Sequence, residues 1–237
     1  MITSPHNEKL KEIRKLAARR RVRSRSGRFV AEGEDLLSAA DAAGWEPVVR
    51  LCAAGSGLAG EPVAPEVLAG VSGLRSGCRT LAVYEERWAV TAVAPCVYLH
   101  GVHDPGNVGT VLRSGAAFGA GCVALGPGSA DPFSPNAVRA SMGAVFEVPV
   151  AQVTSLDQLP RPLVALDAGR GEALWEITST WVQKAPTFLV GAEREGLPAE
   201  ILAEADHIAH IPIRTHSLNA AMAATIALYE VSRMAPA

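Results

Sequence analysis

The sequence predicts an α/β protein built from two parts, and three observations support this expectation. Short β-branched and apolar runs alternate with helix-like segments along the chain. Several of these runs stop at glycine or proline, where strands commonly give way to loops. With 237 residues, of which 49% are hydrophobic and 19% charged, the chain can bury one large core or two small ones. We place the division between residues 90 and 91.

The first part, residues 1–90, is predicted to be a small α/β unit. It begins with a helix over 7–20, and the apolar stripe of this helix consists of Leu10, Ile13, Leu16 and Ala17. An arginine-rich loop is expected over 19–28. The elements predicted after this loop are strand 29–33, helix 35–43, strand 47–52, helix 65–71 and strand 80–84. Residues 85–94, followed by Pro95, are interpreted as the linker to the second part.

The second part, residues 91–237, continues the alternation. Its predicted strands are 97–100, 121–125, 145–150, 163–167, 187–190 and 208–213, and its predicted helices are 107–118, 134–143, 172–177 and 220–234. Asn107 is expected to cap the first of these helices, and Ser217 or Asn219 the last. Gly191 would let backbone approach a ligand or another segment closely. Polar residues after two such strands indicate a ligand crevice at the edge of an open α/β sheet.

Charge is distributed unevenly along the chain. Residues 1–28 hold ten lysines and arginines against two glutamates, a net charge of +8, whereas the whole chain carries −2. Like charges this close repel one another, and an anionic partner would relieve that cost. We therefore expect RNA phosphate contacts here, with a solvated helix and a flexible turn as the alternative. The arginines assigned to these contacts are Arg19, Arg20, Arg21 and Arg23.

Other features exclude several classes of protein. No apolar run reaches the ~18–20 residues that cross a bilayer, and the N-terminal stretch is charged, unlike a signal peptide. A cytoplasmic protein is therefore expected. Cys52, Cys78, Cys96 and Cys122 are widely spaced and form no C-x-x-C pair. They are interpreted as small buried apolar residues, not as zinc ligands or a disulfide framework.

Three motifs follow one another in the second part. The first runs from Asn107 to Arg113 as Asn-x-Gly-x-x-x-Arg, the second is Gly-Ala-Glu-Arg-Glu-Gly-Leu at 191–197, and the third contains Ile-Pro and Ser-Leu-Asn within 211–219. Together they resemble the motifs of the SpoU (TrmH-type) RNA ribose methyltransferases of the SPOUT superfamily. The resemblance implies a SPOUT domain over 91–237, with a parallel sheet and a C-terminal trefoil knot.

The first part carries a looser resemblance. Ser4, Asn7, the basic tract and Phe-Val-Ala-Glu-Gly at 29–33 are similar to the L30e-type RNA-binding domain that precedes many SpoU enzymes. An L30e-like substrate-binding domain is therefore expected over residues 1–90.

The resemblance also implies a reaction and its residues. The reaction is S-adenosylmethionine-dependent methylation of a ribose 2′-hydroxyl in structured RNA, with ribosomal RNA expected first and transfer RNA second. A homodimer is implied, and no metal is expected, because the cofactor's sulfonium group already activates the methyl. The residues assigned to the cofactor are Ala168, Gly191, Ile211 and Leu218. The catalytic set is Asn107, Arg113, Glu193, Ser217 and Asn219, and Arg139, in Arg-Ala-Ser-Met-Gly, is assigned to RNA.

Arg113 is the family's residue for activating the hydroxyl. Arginine normally keeps its proton in proteins. We therefore favour a role in which Arg113 binds the neighbouring phosphate and stabilises the developing alkoxide. A deprotonated arginine acting as a true base is the alternative. His216 is interpreted as a structural or solvent-exposed loop residue.

Two other functions are compatible with an α/β chain of this kind. One is a non-catalytic RNA-binding protein that has kept the fold, against which the polar motif residues argue. The other is an NAD-dependent oxidoreductase, but no G-x-G-x-x-G follows the first strand of either part. Two departures from the SpoU pattern fall at the expected cofactor pocket. Ala192 stands where an asparagine is common, and the segment 214–216 is short and lacks glycine.

Overall fold

The computed structural model describes residues 1–73, 77–178 and 185–234. The helices are α1 (Glu8–Ala18), α2 (Arg20–Ser26), α3 (Glu34–Ala42), α4 (Pro65–Ala69), α5 (Pro105–Phe118), α6 (Pro135–Ala140), α7 (Leu174–Thr178), α8 (Ala199–Glu204) and α9 (Ala220–Met234). The strands are β1 (Arg28–Glu32), β2 (Val49–Ala53), β3 (Glu61–Val63), β4 (Thr80–Glu85), β5 (Cys96–Leu99), β6 (Cys122–Leu125), β7 (Val150–Gln152), β8 (Leu163–Leu166), β9 (Glu172–Ala173), β10 (Thr187–Val190) and β11 (His207–His210).

Two sheets organise these elements. The first four strands form a mixed sheet in the order β1-β4-β2-β3, and the others form a seven-stranded sheet in the order β7-β6-β5-β10-β8-β11-β9. Every neighbouring pair in the larger sheet is parallel. Because the carboxyl ends of parallel strands meet at one edge, the loops after β5, β6, β8 and β10 gather there. The predicted α/β class and parallel sheet are confirmed.

The N-terminal helix forms as predicted, but the arginine-rich loop does not. Asn7 caps α1 by accepting a hydrogen bond from the Lys9 amide at 3.0 Å, and Leu10, Ile13 and Leu16 are buried. Burying such side chains stabilises the fold by about 1.5–3 kcal/mol each. The expected loop is instead helix α2, which ends at Gly27 in a left-handed conformation. Arginine has a good helix propensity, and this outweighed the two serines on which the loop prediction rested.

Several predicted elements of the second part are shorter or different. The predicted strand 145–150 is wrong over most of its length, because residues 144–146 form a 3-10 turn and β7 begins only at Val150. The predicted helix 172–177 starts with β9, which pairs with β11. Strand β11 ends at His210, before Pro212. Two short elements, β3 and α8, were not predicted.

Helices α5, α6 and α9 pack closely. A methyl group at Gly109 of α5 would overlap the Ala137 carbonyl oxygen and lie 2.7 Å from the Ala140 side chain, so this glycine serves helix packing against α6. In α9 the alanines at 220, 221, 224 and 227 are buried. The Ser114 and Thr225 hydroxyls, 2.6 Å apart, join α5 to α9.

The two parts share a core instead of being joined only by a linker. Phe29 from β1 lies 4.8 Å, ring centre to ring centre, from Phe133 in the segment after β6, and Tyr84 from β4 lies 5.1 Å from Phe146. The expected linker is also fixed, because the Ala89 amide donates to the Val150 carbonyl at 2.7 Å. Aromatic pairs of this kind contribute about 0.5–1.5 kcal/mol beyond their buried area.

The cysteines behave as predicted. Cys52, Cys78, Cys96 and Cys122 are all buried and free. Burial raises the pKa of the Cys78 thiol, as expected of an unreactive cysteine. Among the described residues, no helix is both long enough and apolar enough to span a membrane.

Candidate active site

Three segments meet beside the carboxyl edge of the seven-stranded sheet. They are the first turn of α5, the loop 191–197 that follows β10, and the first turn of α9. Asp104, not Asn107, caps α5, accepting from the Gly106 amide at 2.8 Å. The predicted cap at Asn107 was therefore wrong. Because it does not cap the helix, the Asn107 side chain is able to reach across to the other two segments.

A directional row of hydrogen bonds links the three segments. The Asn219 side-chain oxygen accepts from the backbone amides of Ala221 and Met222, at 2.9 and 3.3 Å, which confirms Asn219 as the cap of α9. Asn219 then donates to the Asn107 oxygen at 3.0 Å, and Asn107 donates to a carboxylate oxygen of Glu193 at 2.6 Å. The side-chain amides of Asn107 and Asn219 therefore have fixed orientations. Through them, the backbone amides in the first turn of α9 are linked to the Glu193 carboxylate.

The loop 191–197 is a tight turn closed on itself. The Gly196 amide donates to the Ala192 carbonyl at 2.9 Å, and Gly196 has a φ of +68°. A methyl group at Gly191 would overlap the Gly196 carbonyl group and the Leu197 backbone nitrogen. Of the two roles left open for Gly191, the close approach of another chain segment is therefore the one observed.

A cavity of about 240 Å³ lies against this loop. Its apolar wall includes Leu166, Val190, Leu197 and Leu218, and its charged groups are Asp167, Glu193, Arg194 and Glu195. Of the residues assigned to the cofactor, Ala168, Gly191 and Leu218 line the cavity, and so does Ser217. Ile211 does not line it, because its side chain packs against the cluster of Val164, Phe188 and Ala209.

Arg113 is exposed on α5, two turns beyond Asp104. It has no hydrogen-bond or ion-pair partner among the residues that the structure describes, and it does not line the cavity. Arg139 of α6 is also exposed. Within the ranges 1–73, 77–178 and 185–234, no cluster of His, Cys, Asp and Glu could hold a metal ion.

Comparison with known families decides the assignment of the second part. The model of the SpoU rRNA methylase family matches residues 94–229, more than half of the chain. The chain belongs to the SpoU rRNA methylase family. In addition, the model of an MRM3-like substrate-binding domain matches residues 7–85. The predicted SpoU membership and the substrate-binding character of the first part are thereby confirmed.

Individual SpoU relatives resemble the chain along nearly its whole length. An uncharacterised tRNA/rRNA methyltransferase of Synechocystis is 29% identical and covers 98% of the chain and 93% of its own length. A crystal structure of an AdoMet-bound rRNA methyltransferase from Sinorhizobium meliloti has a TM-score of 0.86 at 29% identity and covers 100% of this chain and 98% of that one. An RNA 2′-O ribose methyltransferase structure has a TM-score of 0.78 at 29% identity, with 98% of both chains covered. Other curated relatives are longer, and the chain spans 28–50% of their length.

The basic segment of this SpoU family member is only partly free. Arg19, Arg20 and Arg21 are exposed at the start of α2. Arg23 is 4% exposed, and its Nε and Nη2 atoms each lie 2.8 Å from a carboxylate oxygen of Asp131. It also donates to the Leu16 carbonyl at 2.6 Å. The assignment of Arg23 to RNA was therefore wrong, because its guanidinium is buried and fully engaged.

Sequence patterns missed some residues of the site. Asp167, Arg194 and Glu195 line the cavity. Arg194 and Glu195 lie inside the second motif, at 191–197, whereas only its position after a strand could have pointed to Asp167. A second, open cleft of about 500 Å³ adjoins it, since both are lined by Ala192, Glu195 and Gly196. His100 in this cleft lies 3.1 Å from the Tyr98 hydroxyl, and burial lowers the pKa of its imidazole.

Proposed function

We propose that the protein methylates a ribose 2′-hydroxyl in structured RNA with S-adenosylmethionine as the methyl donor. Ribosomal RNA is the proposed substrate, and transfer RNA is the second candidate. The observation that carries the proposal is the hydrogen-bonded row Asn219–Asn107–Glu193 beside the cavity. It brings together one residue from each of the three SpoU motifs. Two solved relatives, one bound to AdoMet and one named for 2′-O ribose methylation, support it.

The cavity residues fit this cofactor. S-adenosylmethionine is cationic at its sulfonium and ammonium groups, and three carboxylates, from Asp167, Glu193 and Glu195, line the cavity. Its adenine is flat and apolar on both faces, which suits the walls at Leu197 and Leu218. When bound, the cofactor supplies a methyl group that is already activated. No metal is then required, so activity should persist in a chelator.

The chain itself has to position the RNA and support loss of the hydroxyl proton. In the proposed mechanism, the Asn107–Glu193 bond fixes the loop that holds the cofactor in line with the 2′-oxygen. Arg113, exposed and without a protein partner among the described residues, is free to bind the adjacent phosphate and to stabilise the alkoxide as it forms. The backbone of Ile211, not its side chain, would contribute to the cofactor site.

The direct test measures both binding and product. Calorimetry should detect S-adenosylmethionine binding, and mass spectrometry of RNA from a deletion strain should reveal one missing ribose methyl group. A protein that binds RNA but no cofactor, with or without RNA present, would be the non-catalytic alternative instead.

We propose that residues 1–90 bind RNA and residues 91–237 transfer the methyl group. The two family matches, over 7–85 and 94–229, support this division. Of the assigned arginines, Arg19, Arg20, Arg21 and Arg139 are exposed and remain the proposed RNA contacts.

Changing Arg19, Arg20 and Arg21 together to glutamine should weaken RNA binding and flatten its salt dependence. Each lost phosphate contact lowers the slope of log K against log salt by about 0.7–0.9, so up to ~2–3 is expected in total. A matched control removes Lys9, Lys11 and Arg79, exposed cations that already pair with Glu61, Glu8 and Glu34. Fluorescence anisotropy over a series of salt concentrations measures the RNA affinity and its salt dependence for each variant. Equal slopes in the two variants would favour the solvated-helix alternative.

Truncating residues 1–28 is a poorer experiment. It would remove the buried stripe of α1 and leave Asp131 without Arg23. Breaking a buried ion pair from one side costs about 3–5 kcal/mol, so misfolding would be mistaken for lost RNA binding.

Asn107→Ala and Asn219→Ala should each weaken cofactor binding, and the double variant should be little worse than either. The reason is that both residues belong to one row of hydrogen bonds, in which coupling energies of about 0.5–3 kcal/mol are usual. Calorimetric titration with S-adenosylmethionine measures the three affinities. Thr110→Ala, which removes only a bond to the Gly106 carbonyl one turn away, is the control. Strictly additive losses would mean that the row does not act as a unit.

We also propose the homodimer and trefoil knot implied by the resemblance. Met222 and Tyr229 project from α9 with 59% and 47% exposure, and they lie two turns apart on one side of the helix. Apolar side chains of this size on one helix face suit a second copy of the chain. Light scattering should give twice the mass of one chain, and Met222→Glu with Tyr229→Glu should halve it. A single-chain mass for the wild type would contradict the proposal.

A further inference from the structure

A second cavity lies at the junction of the two parts, away from the cofactor site. It holds about 170 Å³ in the corner where α2 and the segment after β4 meet the ends of β6 and β7. Its polar and aromatic lining comes from Arg20, Ser24, Glu86, Trp88, Ser129 and Gln152. The first four belong to residues 1–90, and the other two to the methyltransferase part. The cavity therefore exists only because the two parts are packed together.

The walls of this cavity are held in place. Trp88 stands edge-to-face on Phe133, with ring centres 5.1 Å apart, and is 38% exposed. The Trp88 ring nitrogen donates to one oxygen of Glu86 at 3.0 Å. Beside them, the buried Arg23–Asp131 pair fixes α2 to the segment after β6. An aromatic ring and a carboxylate are thus presented together in a fixed orientation.

Three polar groups of the lining have no protein partner. The side chains of Arg20, Ser24 and Gln152 make no hydrogen bond or ion pair with the residues that the structure describes, and the second Glu86 carboxylate oxygen also has none there. The Asp131 carboxylate, by contrast, is neutralised by its ion pair with Arg23 and also accepts from the Phe133 amide at 2.9 Å. The cavity therefore suits neither kind of ion. A divalent cation would find a single available carboxylate next to an arginine, and a simple anion would lie against the carboxylate of Glu86.

A nucleobase matches this set of groups better than either ion. Bases stack on tryptophan rings, and splayed-out bases are recognised by hydrogen bonds to their edges. Guanine in particular presents two adjacent N–H donors, which a carboxylate can accept side by side. Adenine and cytosine offer an amino group next to an acceptor, and uracil offers one N–H between two acceptors. Arg20 at the rim is placed for the phosphate of the same nucleotide.

We propose that this cavity binds a guanine base of the RNA substrate, stacked on Trp88 and hydrogen-bonded by Glu86. The proposal rests on the proposed function, because it takes RNA as the substrate. The cavity lies at the ends of β6 and β7, and the cofactor cavity at the ends of β8 and β10, along the same edge of the sheet. Three strand spacings separate them, about 15 Å. A few extended nucleotides would span that distance between the guanine and the methylated ribose.

The test uses guanosine 5′-monophosphate as the probe, with the full chain and saturating S-adenosylmethionine to block the cofactor site. Nuclear magnetic resonance should show contacts between the guanine ring and the Trp88 ring. The affinity for guanosine monophosphate should be at least about tenfold higher than the affinity for the adenosine, cytidine and uridine monophosphates. Glu86→Gln keeps the shape of the side chain and one oxygen that can accept from Trp88, but it replaces the other carboxylate oxygen with an amide nitrogen. The two side-by-side acceptors for guanine are then lost, so the preference for guanine should disappear. Glu85→Gln, the exposed neighbour, is the matched control and should keep it.

Trp88→Leu should lower the affinity for all four nucleotides, by about tenfold, because it removes the stacking surface. Cofactor affinity should stay unchanged in every variant, which shows that each one is folded. Equal binding of the four nucleotides by the wild type, or a guanine preference that survives Glu86→Gln, would overturn the proposal. Guanine binding in a protein that transfers no methyl group would leave this inference standing and refute the proposed function. Methyl transfer without any guanine contact at Trp88 would do the reverse.

Discussion

Arg113→Ala should lower the rate of methyl transfer by about 10²–10³, or roughly 3–4 kcal/mol, which is the usual loss when one preorganised charge-stabilising group is removed. Folding and cofactor affinity should be preserved, because the Arg113 side chain is exposed and lies outside the cavity lining. Single-turnover methylation with saturating RNA and S-adenosylmethionine is the measurement, since it removes binding defects from the observed rate.

Two further variants sharpen this result. Arg113→Lys should also be slow, because an ammonium group cannot bridge phosphate and alkoxide with a planar fork. Lys11→Ala removes another exposed cation, on α1, and should leave the single-turnover rate unchanged. If Arg113→Ala were as fast as the wild type, the residue would serve only docking or packing, and the proposed mechanism would be wrong.

Gly191→Val should abolish S-adenosylmethionine binding, and Gly191→Ala should already weaken it severely. The cause is not a side chain filling the cofactor's space. Any β-carbon at 191 meets the backbone of Gly196 and Leu197, so the loop 191–197 has to open and the cavity loses one wall. Calorimetry measures the affinity, and circular dichroism checks that the rest of the chain stays folded.

Gly169 provides the matched control for this substitution. It follows β8 close to the same cavity, and a β-carbon there would meet nothing within 4 Å. Gly169→Ala should therefore bind the cofactor like the wild type. Normal affinity in Gly191→Ala would mean that the loop adapts freely and that its tight turn is not needed for the site.

Sequence reasoning succeeded where a local pattern determines the structure. The bounds of β10 and α9 were predicted residue for residue, because an apolar run ending at glycine and a capped alanine-rich helix are both set locally. Three of the five residues in the predicted catalytic set are joined directly by side-chain hydrogen bonds, from Asn219 to Asn107 and from Asn107 to Glu193. Their motif order predicted this closeness, but the bonds themselves depend on contacts between distant parts of the chain.

Two failures, at Arg23 and at Asn107, have different physical causes. Arg23 looked like one of several equivalent arginines in a basic tract, yet Asp131, more than a hundred residues away, takes it into the core. Asn107 was predicted as the helix cap, although Asp104 is followed by Pro105 at the first helical position and is therefore the stronger local signal. Only for Arg23 did a tertiary partner decide between roles that the local sequence allowed equally well.

The shared core of Phe29, Tyr84, Phe133 and Phe146 also sets a geometric condition on the substrate. Because the proposed RNA-contacting arginines of α2 and the proposed methyl-transfer site are parts of one packed body, their separation is fixed when the chain folds. If a flexible linker joined the two parts, many RNAs could reach the site. With the two parts packed rigidly, the only RNAs that fit are those in which the distance between the docked backbone and the target ribose equals the distance between α2 and the site. Under the proposed function, an RNA of another shape would bind α2 as tightly and still remain unmethylated, so selectivity would appear in the rate of methylation and not in affinity.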